Sequence, residues 1–225
     1  IDPQQRLLMV HVWKALEDAG YAAVDLAGSA TALFAGMGGN EYSGLLMRAG
    51  REDGYITTGI SLPVGPNRLS YFLDLHGPSE PVDTACSSSL VAIHRAPQVL
   101  NEGDCELAIA GGVNTLLTPT PFVLADKVGM LSADGRCKSF SSEADGYGRG
   151  EGVGVLILKK LSAAQAAGDH IYGVIRGSAE NHGGRAQSLT APNPKAQAEV
   201  LKAAYRKAGV DPRTLGYIEA HGTGT

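Results

Sequence analysis

The chain has 225 residues, 44% of them hydrophobic and 19% charged, with a formal net charge of −4. That is the composition of a globular protein long enough to bury a sizeable core, and its mild acidity argues against nucleic acid as a partner. No apolar run approaches a membrane span, and three widely spaced cysteines without a C-x-x-C pair fit neither a disulfide framework nor a zinc site.

The first element is a helix. Asp2 is its cap, Pro3 suits the first turn, and Gln5 completes a capping-box pattern. Leu7, Leu8, Val12, Ala15, Leu16 and Ala19 recur at helical spacing, and Gly20 ends it. Thr31–Ala35 reads as a buried strand, followed by a glycine-rich turn and a helix over Glu41–Ala49. Asn67–Leu75 reads as another helix after Gly65-Pro66; its Arg68 and Tyr71 are read as packing and surface charge. The chain begins without an initiator methionine, and its ends are read as artificial, so the expectation is a piece truncated on both sides.

The stretch V-D-T-A-C-S-S-S-L-V-A-I-H, Val82–His94, organises the rest. It reads as a short strand, a tight turn and a helix, with Cys86 at the join. Serines are good helix-start residues, and Leu90, Val91 and Ile93 supply an apolar helical face. Unpaired N–H groups and the helix dipole at such a join favour negative charge, and so in general favour a thiolate nucleophile. Pro97 predicts a kink, or a helix end near Ala96.

Leu107–Ala110 followed by Gly111-Gly112 reads as a central strand. Pro119–Gly150 is long, rich in Gly, Ser and Asp, and short of helical periodicity, as functional loops often are. Its Asp145 and Arg149, and the adjacent Glu151, are read as structural ion pairs. Cys105 and Cys137 are read as inert. Val153–Leu158 reads as a fully buried strand, Ser162–Ala167 as a short helix ended by Gly168, and Ile171–Ala179 as a further strand. Asn193-Pro194 starts a helix to Ala208 with Ala196, Val200, Leu201, Ala204 and Tyr205 as its core face. His182 opens the next loop in N-H-G-G-R and could be taken for a base, whereas His11, His76, His94 and His170 are read as ordinary. Leu215–Ala220 reads as a strand that presents His221 ahead of a Gly/Thr loop. A histidine there can donate a hydrogen bond to a developing oxyanion or move a proton.

Alternating strands and helices give an α/β class. The motifs go further. D-T-A-C-S-S-S-L at Asp83–Leu90 and E-A-H-G-T-G-T at Glu219–Thr225 resemble the nucleophile and first histidine motifs of the β-ketoacyl synthases. Within that family the likeness is to the ketosynthase domain of bacterial modular type I polyketide synthases. D-P-Q-Q-R-L-L (Asp2–Leu8), W-K-A-L-E-D-A-G (Trp13–Gly20), N-R-L-S-Y-F (Asn67–Phe72), G-R-C-K-S-F (Gly135–Phe140) and D-G-Y-G-R-G-E-G (Asp145–Gly152) follow in the family's order. Glu102–Pro121 and Ala179–Ala198 look like synthases of the trans-acyltransferase type, whose extender units come from a separate enzyme.

The resemblance implies a thiolase-like fold of two similar halves in an α-β-α-β-α arrangement. Residues 1–170 would be most of the N-terminal half and residues 171–225 the start of the C-terminal half. It implies Cys86 as the acyl-accepting nucleophile and His221 as the group that assists decarboxylation and stabilises the oxyanion, brought together in a pocket between the halves. A second histidine and a lysine belong beyond Thr225 in the family, which places neither catalytic histidine at the N-H-x-G-R block, so the resemblance makes His182 structural. No bound cofactor or metal is implied; phosphopantetheine arrives on an acyl carrier protein. The implied partners are that carrier, acyl and malonyl thioesters, and a second copy in a homodimer of the intact domain; the cysteine pattern is read as that of a reducing cytoplasm. A non-elongating ketosynthase that only transfers or holds the chain remains the alternative. The isolated piece is expected to be inactive and poorly folded, because a truncated sheet exposes unpaired edges.

Overall fold

The computed structural model describes all residues, Ile1–Thr225. Its centre is one four-stranded sheet in the order β2-β1-β3-β4. These strands are β1 (Ala32–Gly36), β2 (Ser79–Val82), β3 (Leu107–Asn114) and β4 (Gly152–Lys159). β1 is parallel to both β2 and β3, and β4 runs antiparallel to β3. The helices are α1 (Pro3–Asp18), α2 (Ala23–Leu26), α3 (Glu41–Arg48), α4 (Ile56–Ile60), α5 (Val64–Leu73), α6 (Ser88–Glu102), α7 (Thr120–Lys127), α8 (Leu161–Ala167) and α9 (Pro194–Ala208).

Alternation along the strands divides the core in two. Leu33, Ala35, Leu107, Ile109 and Val113 face α1 and α5, where Leu8, Val12, Leu16, Leu69 and Leu73 are buried against them. The 8, 12, 16 spacing puts three apolar side chains on one stripe of α1. Ala32, Phe34, Ala108 and Ala110 face the other way, onto Ala92, Ala96 and Leu100 of α6. That second interface is built from small residues, so α6 lies close to the sheet. The result is an α-β-α sandwich.

Two glycines set how close. A Cβ on Gly36 would come within 2.5 Å of the Ser89 backbone nitrogen and 2.7 Å of the Ser88 carbonyl carbon. A Cβ on Gly112 would come within 2.8 Å of the Ser89 Cβ. Gly36 and Gly112 are register partners on β1 and β3, so the first turn of α6 rests on a two-glycine floor. The expected result of Gly36→Val is a loss of roughly 1–3 kcal/mol or more, read as a lower denaturation midpoint. The obstacle is backbone and cannot rotate away. An unchanged midpoint would show that the floor is not tight.

Several expected elements differ. α5 starts at Val64, with Pro66 inside its first turn, where a missing N–H is harmless. Asp2 caps α1 by accepting from Gln4 N–H, but Gln5 forms no capping box. Its buried side chain donates to the Ser61 carbonyl at 3.2 Å and accepts from Arg68 Nε at 3.2 Å. Arg68 is therefore structural, as read. α6 passes through Pro97 to Glu102. The carbonyl that proline leaves without a partner is offset by the burial of Ala92, Ala96 and Leu100 on the same face. β4 is an edge strand with Leu156 44% exposed, so it is not fully buried. The long segment after Pro119 contains a two-turn helix, α7.

The largest departure lies after residue 170. Neither Ile171–Ala179 nor Leu215–Ala220 forms a strand. Tyr172, Tyr217 and Ile218 are exposed. An extended segment becomes a strand only when a neighbour accepts its N–H and C=O groups, and no strand here offers that ladder. α9 forms as expected, with Asn193 accepting from the Lys195 and Ala196 amides. Its predicted core face is not buried, and Leu201 is exposed. The helix leans instead on its own neighbouring segment: Asn181 Nδ2 donates to the Ala196 carbonyl at 2.8 Å.

Candidate active site

β2 ends at Val82 and α6 begins at Ser88, and Cys86 sits in the turn between them. That turn lies at the carboxyl edge of the parallel strands, where α/β sheets place their ligands. The Cys86 side chain is exposed.

Local hydrogen bonds shape the turn. Ala85 N–H donates to Asp83 Oδ1 at 3.2 Å. Thr84 N–H donates to Ser88 Oγ at 2.9 Å, and that hydroxyl donates to the Ala85 carbonyl at 2.6 Å. Ser87 Oγ donates to the Thr84 carbonyl at 2.9 Å. The serines therefore bind backward into the turn, and none caps α6. The N–H groups of Cys86, Ser89 and Leu90 carry no hydrogen bond. The thiol therefore lies just ahead of a helix N-terminus whose first amides are unpaired, at the positive end of its dipole.

Ala85 carries the strain. Its φ is +55°, a left-handed conformation that side chains other than glycine rarely adopt. It turns the chain sharply before Cys86, as at the nucleophile elbow of other enzymes. Ala85→Val is expected to lose about 1–3 kcal/mol, because a β-branched residue fits this region worst. In Ala85→Gly, relief of strain and added unfolded-state freedom offset each other to within about 1 kcal/mol. Thermal denaturation of both variants reads the difference, and equal midpoints would mean that Ala85 is not strained.

His221 is exposed and follows an irregular segment, not a strand. The loop it opens is docked. Gly146 N–H donates to the Gly224 carbonyl at 2.9 Å, and Ser139 Oγ donates to the Gly222 carbonyl. A Cβ on Gly224 would overlap the Cys137 carbonyl. No hydrogen bond joins Cys86 to His221; each is held by its own element. Two surface clefts are lined by α1 with α5 and by the end of α9, and neither includes Cys86 or His221.

The remaining candidates are structural. Cys105 is buried, and burial first and the Asp104 charge second push its thiol pKa up. Cys137 contributes its carbonyl to the seat of Gly224. Asp145 pairs with Lys138 at 2.7 Å, as its ion-pair reading requires. Glu151 instead accepts from Leu116 N–H at 2.7 Å, and Arg149 lies over the Phe122 ring at 5.0 Å from its centroid. His182 Nδ1 accepts from Gly184 N–H. His94 is less ordinary than its sequence suggests: it is buried and bonds Ser178 Oγ at 2.6 Å, tying α6 to the segment after β4.

Sequence reasoning missed one carboxylate anchor, Glu41, and gave another, Glu151, the wrong partner. Glu41 Oε2 accepts from the Leu117 and Thr118 amides and from Thr118 Oγ1, and with Glu151 it pins the β3–α7 connection. It also missed the Ser132–Asp134–Lys138–Asp145 cluster beneath the His221 loop. Side-chain hydrogen bonds from Ser132 and Lys138 hold Asp134 down to about 2, so it is ionised at neutral pH. The C-K-S-F block was visible, but nothing in it says what lies on top.

Known proteins place this arrangement. The family described as beta-ketoacyl synthase, N-terminal domain, matches residues 1–164, and its C-terminal domain matches residues 172–225. The chain is 62% identical to polyketide synthase PksN of Bacillus subtilis over 226 residues, spanning all of this chain and 4% of that protein. It is 48% identical to polyketide synthase ThaG of Burkholderia thailandensis, of which it likewise spans 4%. The ketosynthase from module 6 of the bacillaene synthase of Bacillus subtilis superposes with a TM-score of 0.92 at 42% identity, over all of this chain and 38% of that one. An oxazolomycin ketosynthase domain from Streptomyces albus gives 0.91 at 42% identity, with 40% of its chain covered. The fold is therefore thiolase-like, with one α-β-α sandwich of that architecture formed by these residues. The chain belongs to the β-ketoacyl synthase family, as part of the ketosynthase domain of a bacterial modular polyketide synthase.

Proposed function

We propose that this chain carries the nucleophile and one histidine of a decarboxylative condensation on acyl carrier protein. The observation that carries the reading is the placement of Cys86: an exposed thiol on a strained turn, at the N-terminus of α6, beside unoccupied N–H groups.

The steps follow from that placement. The Cys86 thiolate attacks the carbonyl carbon of an acyl thioester, the carrier's C–S bond breaks, and phosphopantetheine leaves as a thiolate that takes up the proton Cys86 had lost. The Cys86 N–H is one donor to the tetrahedral oxyanion. A malonyl-type extender on a second carrier then loses CO2, and the electron pair of the broken C–C bond passes into an enolate. His221 donates to that developing charge. The enolate carbon attacks the acyl group on Cys86, the C–S bond breaks, and the thiolate is regenerated with a β-ketoacyl carrier protein as product.

The cofactor enters only on the carrier. The intact domain acts as a homodimer, with the division between its halves near residue 170. Extender units come from a separate acyltransferase, a reading supported by the stretches Glu102–Pro121 and Ala179–Ala198. The presence of His221 favours elongation over transfer alone.

The test uses a ketosynthase of the full length seen in the solved relatives. It is supplied with a short acyl thioester and malonyl carrier protein, and carrier-bound products are followed by intact mass. A β-ketoacyl carrier protein with released CO2 is the expected result. Stable acylation without elongation would establish the transfer-only class instead.

A further inference from the structure

We infer that the Ser132–Tyr147 loop is the seat of the His221 loop, and that Lys138 is the positioning residue that holds this seat in shape. The inference rests on the proposed role of His221, but its geometry is independent of it.

The loop is closed at its neck by two backbone bonds. Ser132 N–H donates to the Tyr147 carbonyl at 3.1 Å, and Tyr147 N–H donates to the Met130 carbonyl at 2.9 Å. Inside the neck, Lys138 Nζ reaches Asp134 at 3.1 Å and Asp145 at 2.7 Å, bridging the two sides. Ser132 Oγ donates to Asp134 Oδ1 at 2.7 Å and holds that carboxylate from below. Lys138 is less exposed than either partner, at 21% against 54% and 43%. It is a central post, not a surface lysine with an incidental ion pair.

The post holds strain. Lys138 and Phe140 have φ of +42° and +63°, so two non-glycine residues in left-handed conformations flank Ser139. Such residues persist where the surroundings over-determine them. Their effect is to aim the Ser139 hydroxyl at the Gly222 carbonyl, one residue after His221. The opposite side of the loop supplies the second clamp, Gly146 N–H to the Gly224 carbonyl. Gly224 fits because it lacks a Cβ against the Cys137 carbonyl. Both clamps therefore come from residues adjoining the Lys138 bridge: Ser139 follows Lys138, and Gly146 follows Asp145. Lys138 forms no hydrogen bond or ion pair with Cys86 or His221, so its effect passes through the loop that follows His221.

The test separates stages in a full-length ketosynthase. In Lys138→Met, acylation of Cys86 stays at the wild-type rate, while CO2 release from malonyl carrier protein falls on the order of 100-fold, as for a group misplaced by about 1 Å. Lys138→Arg, which keeps both ion pairs, restores most of the loss. In a His221→Ala background, Lys138→Met has little further effect, because two residues acting on one step are not additive. Amide exchange supplies a readout without catalysis: Gly146 loses protection in Lys138→Met, and the α6 amides do not. Asp145→Asn gives the same pattern should the methionine variant fold badly. Equal losses of acylation and decarboxylation, full additivity with His221→Ala, or unchanged Gly146 protection would each overturn the inference. If the wild-type enzyme releases no CO2, the functional reading fails, and the exchange experiment still decides whether Lys138 holds the seat.

Discussion

Cys86→Ala is expected to lower condensation roughly 10,000-fold or more, because a nucleophile that forms a covalent intermediate has no substitute. The two other thiols do not replace it. Cys105 is buried against β1 and β3 with its pKa raised, and Cys137 is half-buried in the seat of the His221 loop. The variant should fold, since the Cys86 side chain is exposed and unbonded and the turn is held by Asp83, Thr84, Ser87 and Ser88. An unchanged melting temperature with lost acylation is therefore the expected pair of results. A variant that still loads acyl groups would move the nucleophile elsewhere.

His221→Ala should show the opposite division of labour. Acylation of Cys86 survives, because His221 has no hydrogen bond to the turn that holds the thiol. Decarboxylation falls roughly 100- to 1,000-fold, the usual effect of removing one donor from a developing oxyanion. His221→Gln, which keeps an N–H donor but no titratable group, should retain part of the rate if donation is the role and none if proton transfer is. The loop itself should stay seated, since Gly222 and Gly224 are held through backbone carbonyls. Single-turnover measurement of loading and of CO2 release separates the two steps. Equal losses in both would make His221 a structural residue.

The parts of this fold that were legible in the sequence are those whose causes are local. The strand–turn–helix around Cys86 could be read from Val82, the serines and the apolar face of α6. The sheet-facing strand at Ala32–Gly36, the cap at Asn193 and the stop at Gly168 were readable for the same reason. Of the two outcomes Pro97 allows, a kink or a helix end near Ala96, the end does not occur, because packing of Ala96 and Leu100 outweighs one lost backbone bond, and packing is not a local property. β4 was read as fully buried because its apolar run is continuous, yet edge or centre depends on strand order, which periodicity does not encode. Ile171–Ala179 and Leu215–Ala220 have strand-like composition, but a strand requires a partner. The left-handed Ala85 and Lys138 were invisible, since neither residue type announces positive φ. Cys86 and His221 stood out through motifs; the residues that hold them, Gly36, Ser88, Ser139 and Lys138, emerged only from contacts.

The central claim is that the Cys86 sulfur carries the acyl chain. The most direct measurement incubates a full-length ketosynthase with a short acyl thioester, then records intact mass and maps the adduct by peptide mass, with Cys86→Ala in parallel. One acyl group per chain, on the peptide that contains Cys86 and absent from the variant, is the predicted result. An adduct on Cys137, or none on any thiol, would contradict it.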